Sequence, residues 1–348
     1  MNIFVTGGAG YIGSHTCKAL AAAGFVPIAY DNMVSGHEWA VRWGPLVRGD
    51  ILNRPRLEEA FQRYTPSAVM HFAAYADVGE SVEQPLKYHR NNVAGTLNLL
   101  EVMRDLDVKQ LVFSSTCATY GMPQMIPISE AHPQGPINPY GTSKLVCERL
   151  LADCGTAHGL RSVCLRYFNA AGADPEGDIG EDREVEGHLI PLVLKAATGT
   201  RSHVTIFGTD YDTPDGTCIR DYVHVTDLAE AHVLALKALQ GNIGSAAYNL
   251  GTGNGFSVRD VIETARVVTG RTIAVREGRR RPGDPPRLVA DASLAISELG
   301  WMPRYHNLND IISTAWNWFQ SHKPTLRSTA TPQRHWSDQV DQLTRDRG

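Results

Sequence analysis

Charge of one sign is scarce in this 348-residue sequence: 33 Lys and Arg stand against 37 Asp and Glu, for a net charge of −4. That balance does not build the basic field a nucleic-acid backbone demands, so no nucleic-acid partner is expected. Long apolar runs are missing too. None reaches the ~18 residues a membrane span requires, and no membrane partner is expected. Met1–Thr6 runs straight into a strand pattern without the basic stretch of a secretory leader. Cysteine is sparse. Cys17, Cys117, Cys147, Cys154, Cys164 and Cys218 include no CxxC pair and no disulfide-framework spacing. They read as reduced thiols of a cytoplasmic protein, with no metal site expected. Internal repeats and low-complexity tracts are absent.

What is present is a core-forming composition, 43% hydrophobic, in a chain long enough for about two domains. Short apolar strands are predicted at Asn2–Thr6, Val26–Asp31, Pro45–Asp50, Ala68–Ala73, Gln110–Ser115 and Ser162–Tyr167. Helical spacing separates most of them, at Tyr11–Gly24, Arg54–Tyr64, Val82–Asp105 and Tyr140–Gly159. This alternation predicts an α/β fold, a doubly wound parallel sheet covered on both faces. Past about Gly172 the pattern changes. Ala173–Gly187 is acidic and glycine-rich and reads as a loop. Helices follow at His188–Thr198, Thr226–Leu239, Val258–Thr269 and Leu308–Phe319, mixed with strands at Val204–Phe207, Ala246–Leu250 and Ile273–Arg276: a second, smaller α+β domain. From Lys323 the chain is polar and reads as partly disordered.

The most informative segment is Thr6-Gly7-Gly8-Ala9-Gly10-Tyr11-Ile12-Gly13, between the first strand and the first helix. Gly7, Gly10 and Gly13 let the backbone turn tightly and approach a pyrophosphate, while the helix N-terminus offers free N–H groups to the anion. Asp31 ends the second strand, where an acid accepts from ribose hydroxyls and repels a 2′-phosphate, so NAD is favoured over NADP in a Rossmann sheet. Asp50 and Ile51 fall where an adenine edge would lie. Phe72-Ala73-Ala74 ends the fourth strand with small residues over which a cofactor can cross, and Asn91 can reach it from the next helix.

A second constellation begins at Tyr140-Gly141-Thr142-Ser143-Lys144. Tyr140 and Lys144 are four apart and share one helical face. An ammonium near a phenol favours the phenolate, so Lys144 is expected to lower the Tyr140 pKa and make it a general base. Thr116, after Ser114-Ser115, can relay or orient the substrate proton, or simply cap the next turn.

In these motifs the chain resembles the extended short-chain dehydrogenases/reductases, and among them the UDP-glucose 4-epimerase family. The likeness runs over nearly the whole chain. It includes Gly7–His15, His71-Phe72-Ala73-Ala74, Val78-Gly79-Glu80-Ser81, Asn91–Thr96, Asn138-Pro139-Tyr140-Gly141, Arg166-Tyr167-Phe168-Asn169 and Arg220–Val225. The resemblance implies a domain of residues 1–178 that binds NAD and one of 179–345 that binds a UDP-sugar, the two interleaved near the active site. It implies Tyr140 as base, Lys144 as its electrostatic helper and ribose contact, and Thr116 as hydroxyl partner. Tyr11, Ile12, Asn32, Met33, Ser35, Gly36, Ala76, Ser114 and Phe168 would join the cofactor site. Asn169, His188, Leu189, Thr205, Phe207, Arg220, Arg281 and Asp284 would hold the UDP-sugar. Arginine forks suit a diphosphate. The implied reaction is epimerisation at C4 through a 4-keto sugar, with NAD retained between turnovers. A homodimer is implied as well, formed by the helices at Val82–Asp105 and Tyr140–Gly159.

Three positions depart from the common pattern. Ala76 stands where many relatives carry Lys, a departure that resembles the branch of bacterial exopolysaccharide epimerases and plant UDP-pentose epimerases. His188 replaces a frequent Asn, and Leu288 occupies the position that gates N-acetylated sugars. Rival readings are a UDP-xylose/UDP-arabinose 4-epimerase, an epimerase also accepting UDP-GlcNAc, a sugar 4,6-dehydratase and a non-catalytic NAD sensor. Cys117-Ala118, in place of an acid pair, argues against the dehydratase. The joint presence of Tyr140, Lys144 and Thr116 argues against the sensor.

Overall fold

The computed structural model describes residues 1–241, 243–281 and 283–322. The polar stretch from Lys323, and with it the end of the second domain at 345, lies outside the described residues.

Seven parallel strands form the main sheet, in the order Ala246–Leu250, Arg161–Tyr167, Gln110–Thr116, Ala68–His71, Asn2–Thr6, Val26–Asp31, Leu46–Arg48. These strands are apolar nearly end to end because helices cover both faces. One face packs Ile3, Val5, Met70, Val112 and Leu165 against helices Tyr11–Ala22 and Val225–Gln240 and the fully buried Trp301. The other packs Phe4, Val69, Leu111 and Phe113 against Arg54–Tyr64, Gly95–Asp105 and Pro139–His158. The chain runs outward from Asn2–Thr6 to Leu46–Arg48, then returns to Ala68–His71 on the other side. The carboxyl ends of Asn2–Thr6 and Ala68–His71, paired at Thr6 and His71, therefore flank a switch point, where such sheets bind ligands.

Ala246–Leu250 belongs to this sheet, not to the smaller half where its position in sequence suggested it: it pairs in parallel with Arg161–Tyr167. The smaller half holds the pair Val204–Phe207/Val275–Gly278 and a second small sheet. In that sheet Ile219–His224 pairs with Asn169–Ala171, Gly255–Ser257 and Arg287–Leu288. Among the described residues no helix is long and apolar enough to cross a membrane, and all six cysteines are free.

The helix expected at Val82–Asp105 is broken. Val78–Glu83 stops before Pro85, whose ring and missing N–H prevent continuation. Pro85–Tyr88 follows, then a wide π turn at His89–Ala94, then Gly95–Asp105. The π turn carries buried Asn92, which accepts from the Tyr75 N–H at 2.9 Å and donates to the Tyr75 carbonyl and the Ser143 hydroxyl, each at 3.0 Å. It thus ties the segment after the fourth strand to the Tyr140 helix.

Candidate active site

At the switch point, Gly7 adopts φ +71, and a Cβ there would come within 2.7 Å of the Ala73 nitrogen. At Gly13 a Cβ would lie 2.1 Å from the Gly7 carbonyl. Helix Tyr11–Ala22 starts at Gly10 with no side-chain cap and no acid in its first turn, so its N–H groups stay free for an anion. Asp31 is positioned by two amides: Ala9 N–H donates to Oδ2 at 3.0 Å and Met33 N–H to Oδ1 at 2.8 Å. Burial pushes its pKa up and these two hydrogen bonds oppose the rise. Asn32 donates to Asp50 at 2.9 Å, Gly36 packs closely on Asp31, and Ser35 is exposed beside them. Ile51 is buried under Gly95, Phe72 lies against the His232 ring, and Tyr11 donates to the Gly172 carbonyl at 2.6 Å. Ile12 packs on the core, Ala74 is half-buried, and Ala76 is exposed. Asn91 donates to the Asn92 side chain at 2.9 Å. A cradle that side chains would fill, an uncapped helix end and an oriented acid together fit a dinucleotide.

Beside the cradle, Thr116 ends the strand Gln110–Thr116. Tyr140 and Lys144 lie in the first turns of helix Pro139–His158, whose start is fixed by Pro139 and by Asn138 accepting from Gly141 N–H at 2.8 Å. The Thr116 hydroxyl hydrogen-bonds Tyr140 and also accepts from Ala118 N–H, so it both meets the phenol and caps the turn.

Lys144 does not hydrogen-bond Tyr140 in the way shared spacing suggests: it donates to the Ser114 carbonyl at 2.7 Å and lies over the Phe113 ring. Burial pushes the phenol up to about 12, opposed by the Thr116 hydrogen bond and the Arg183 charge. Burial also pulls Lys144 down to about 8. Four residues apart is enough to share a face but does not set a contact, because the lysine side chain reaches inward to the strand.

The sequence reading missed two features. Glu148, one turn beyond Lys144, forms a buried ion pair with Arg166 through Nε at 2.9 Å and Nη2 at 2.6 Å, and Ser115 and Gln134 also donate to it. Arg166 Nη1 further reaches the Tyr120 hydroxyl at 3.0 Å. The network pins the Tyr140 helix to two central strands, and the regular spacing Tyr140, Lys144, Glu148 was its only sequence signal. The second is Arg183, paired with Glu181 at 2.8 Å and near enough to Tyr140 and Tyr11 to act on both. Nothing in the sequence of an acidic loop marks it.

The expected sugar-nucleotide residues gather in two places. Phe168 packs with Cys117, Tyr120, Ile128 and Ala290, and Leu288 lies against them, close to Thr116. Asn169 begins the adjoining strand. On the far side, the Arg281 guanidinium stacks 4.1 Å from the Phe207 ring and Arg220 pairs with Asp284 at 2.7 Å. Thr205 lies on the same strand as Phe207. His188 directly precedes the helix that begins at Leu189, and its Nδ1 lies 2.8 Å from Glu181, whose charge raises the imidazole pKa.

The model of the NAD dependent epimerase/dehydratase family matches residues 3–251. The UDP-glucose 4-epimerase of Rhizobium meliloti (strain 1021) is 53% identical over 317 residues, 91% of this chain and 96% of that protein. Among solved structures, UDP-glucose 4-epimerase from Brucella ovis in complex with NAD is 53% identical with a TM-score of 0.89, covering 91% of this chain and 98% of that one. The Bifidobacterium longum enzyme in complex with NAD+ and UDP is 40% identical with a TM-score of 0.87, covering 92% and 98%. With its glycine cradle, its Tyr140–Lys144 helix and these likenesses, the chain belongs to the NAD dependent epimerase/dehydratase family, in its UDP-glucose 4-epimerase branch.

Proposed function

We propose that the protein interconverts UDP-glucose and UDP-galactose by epimerisation at C4, with NAD held in the cleft at Gly7–Gly13. The observation that carries this reading is the placement of Thr116, Tyr140 and Lys144 beside the switch point where that cleft opens. Bound NAD supplies a hydride acceptor and donor facing the sugar. Tyr140 takes the proton of the 4-hydroxyl as C4 becomes a ketone, with Thr116 orienting that hydroxyl. The ketosugar turns about its link to the diphosphate, and Tyr140 returns the proton at the opposite face. One hydride and one proton leave and both come back, so sugar and enzyme end without net oxidation. A phenol pushed up to about 12 by burial holds its proton firmly, so the positive charges that favour its ionisation matter: Arg183 and the cofactor ring. Lys144, held by the Ser114 carbonyl, serves a cofactor ribose.

The remaining assignments follow. Asp31, Asn32, Met33, Ser35, Gly36, Asp50 and Ile51 serve the adenosine end of NAD. Phe72, Ala73, Ala74, Ala76, Asn91, Ser114 and Phe168 serve the nicotinamide side. Phe207 and Arg281 flank the uracil, Arg220 faces the diphosphate with Asp284 on a ribose hydroxyl, and Thr205, Asn169, His188 and Leu189 complete the UDP-sugar site. Residues 1–178 carry NAD and the following segment carries the UDP-sugar, in a cytoplasmic homodimer. The exposed apolar side chains Val78, Val82, Leu86 and Leu97, all in the segment expected at the interface or just before it, support the dimer. Incubating the purified protein in parallel with UDP-galactose, UDP-xylose and UDP-GlcNAc tests the reading. UDP-galactose is expected to give UDP-glucose fastest, and no conversion of it overturns the proposal.

A further inference from the structure

We propose that Lys18 and His37 are positioning residues for the cofactor: they fasten the acidic segment 172–188 as a strap over the dinucleotide cleft and so retain NAD between turnovers. The inference rests on the reading that the cleft binds NAD.

The strap starts where Tyr11, the first residue of the pyrophosphate helix, donates to the Gly172 carbonyl. Two turns along that helix, the Lys18 ammonium meets Asp174 at 2.8 Å, Glu176 at 2.6 Å and Asp178 at 3.0 Å. These three carboxylates converge closely enough to hold a metal ion, and the lysine supplies the cation at their centre. Arg42 adds a second bond to Asp178 at 2.6 Å.

The strap then turns back toward the cleft. Gly180 presses on Trp318, where a Cβ would come within 2.3 Å of the indole, and the Asp182 carbonyl accepts from His37 Nε2 at 2.8 Å. His37 directly follows the ribose-side segment Asn32–Gly36, and its own N–H donates to the Ala9 carbonyl inside the glycine loop at 3.0 Å. Beyond Asp182 the strap delivers Arg183 close to Tyr11 and Tyr140. One continuous segment thus leaves Tyr11, crosses to Lys18, is clasped by His37 beside the glycine loop, and comes back to the catalytic tyrosine. Its fastenings join residues roughly 140 to 160 positions apart, and none of them belongs to the sheet that builds the cleft.

The chemistry explains the choice of fastening. Three carboxylates around a methyl group would repel one another, and Asp174 is only 6% exposed, so losing the ammonium leaves a buried charge uncompensated. The strap would lift, while the main sheet and its two cores, to which these side chains contribute nothing, would stand.

The test uses the purified holoenzyme and follows NAD, released by acid and quantified, through gel filtration and after dilution into a dinucleotide scavenger. Lys18→Met and His37→Ala are expected to lose NAD at least about tenfold faster than wild type, a difference of about 1.4 kcal/mol. Lys18→Arg should restore most of the retention. The gap in melting temperature between NAD-bound and NAD-free protein should shrink in the two variants, whereas a merely structural role would lower both forms equally. Should Lys18→Met not fold, Arg42→Gln decides. It removes one surface link, and faster release supports the strap while unchanged release overturns it. Folded Lys18→Met and His37→Ala proteins that hold NAD as long as wild type overturn the strap alone. Wild-type protein that never carries a dinucleotide overturns the functional reading and the strap together.

Discussion

Replacing Lys144 by Met should make the NAD-free protein more stable at neutral pH while removing activity. An ordinary lysine titrates at 10.5, and burial holds Lys144 at about 8. A buried ammonium is therefore carried at a cost. The gap of about 2.5 pH units, at 1.36 kcal/mol each, comes to about 3 kcal/mol. Met fills a similar volume without that charge. It forfeits the hydrogen bond to the Ser114 carbonyl, about 1–2 kcal/mol, so the net gain at pH 7 is about 1–2 kcal/mol. At about 2.1 cal/mol/K per residue, 348 residues unfold with about 0.7 kcal/mol/K, so the variant should melt about 2 °C higher. The sign against pH follows from the depressed folded-state pKa. Below about 8 the folded and unfolded lysines are both charged and the whole penalty applies. Between about 8 and 10.5 the folded lysine sheds its proton first, so wild type gains on the variant. Above 10.5 the penalty is gone. Other titrating groups occur in both proteins and cancel in the difference. Denaturant unfolding of the NAD-free pair at pH 7, 9 and 10.5 measures it. Wild type should gain about 3 kcal/mol on the variant across that range. A difference independent of pH, or a wild type that loses ground as pH rises, would refute the argument that burial sets the Lys144 pKa.

Other outcomes are expected of the same structure. Tyr140→Phe should keep NAD and lower turnover by about 10²–10⁴-fold in a UDP-galactose assay, and normal turnover would remove Tyr140 from its role. Arg166→Met strands the Glu148 carboxylate in the core and should cost about 3–5 kcal/mol, or about 4–7 °C in melting temperature. Adding Glu148→Leu should recover most of that loss, and a single variant as stable as wild type contradicts the buried-pair account. Gly172→Ala, at φ +87 with a Cβ 2.5 Å from the His224 ring, should destabilise the fold by about 1–3 kcal/mol in chemical denaturation.

Much of this molecule was readable because its signals are local. The strand–glycine–helix sequence at Asn2–Ala22 and the acid at Asp31 are neighbours in the chain, and the same physics that shapes them also binds a dinucleotide. Helix Pro139–His158 announced itself through its helical spacing over Tyr140–Gly159. The unread parts depend on distant partners. Lys144 turned to Ser114, 30 residues away, because the strand carbonyl lies under the helix. Arg183 and the Lys18 fastening depend on a loop whose composition says only that it is polar. The break at Pro85 and the π turn were hidden because an apolar pattern survives a change of helical pitch. Ile219–His224 was read only as a motif, since its alternation is short and its pairing partners lie far apart in the chain.

The central claim is that a hydride leaves C4 and returns to the same sugar. UDP-glucose carrying deuterium at C4, incubated with the purified protein in ordinary water and without added NAD, tests it most directly. The account predicts UDP-galactose with the deuterium still at C4 and no accumulation of reduced dinucleotide. Loss of the label to solvent, as direct proton abstraction from C4 would give, contradicts it.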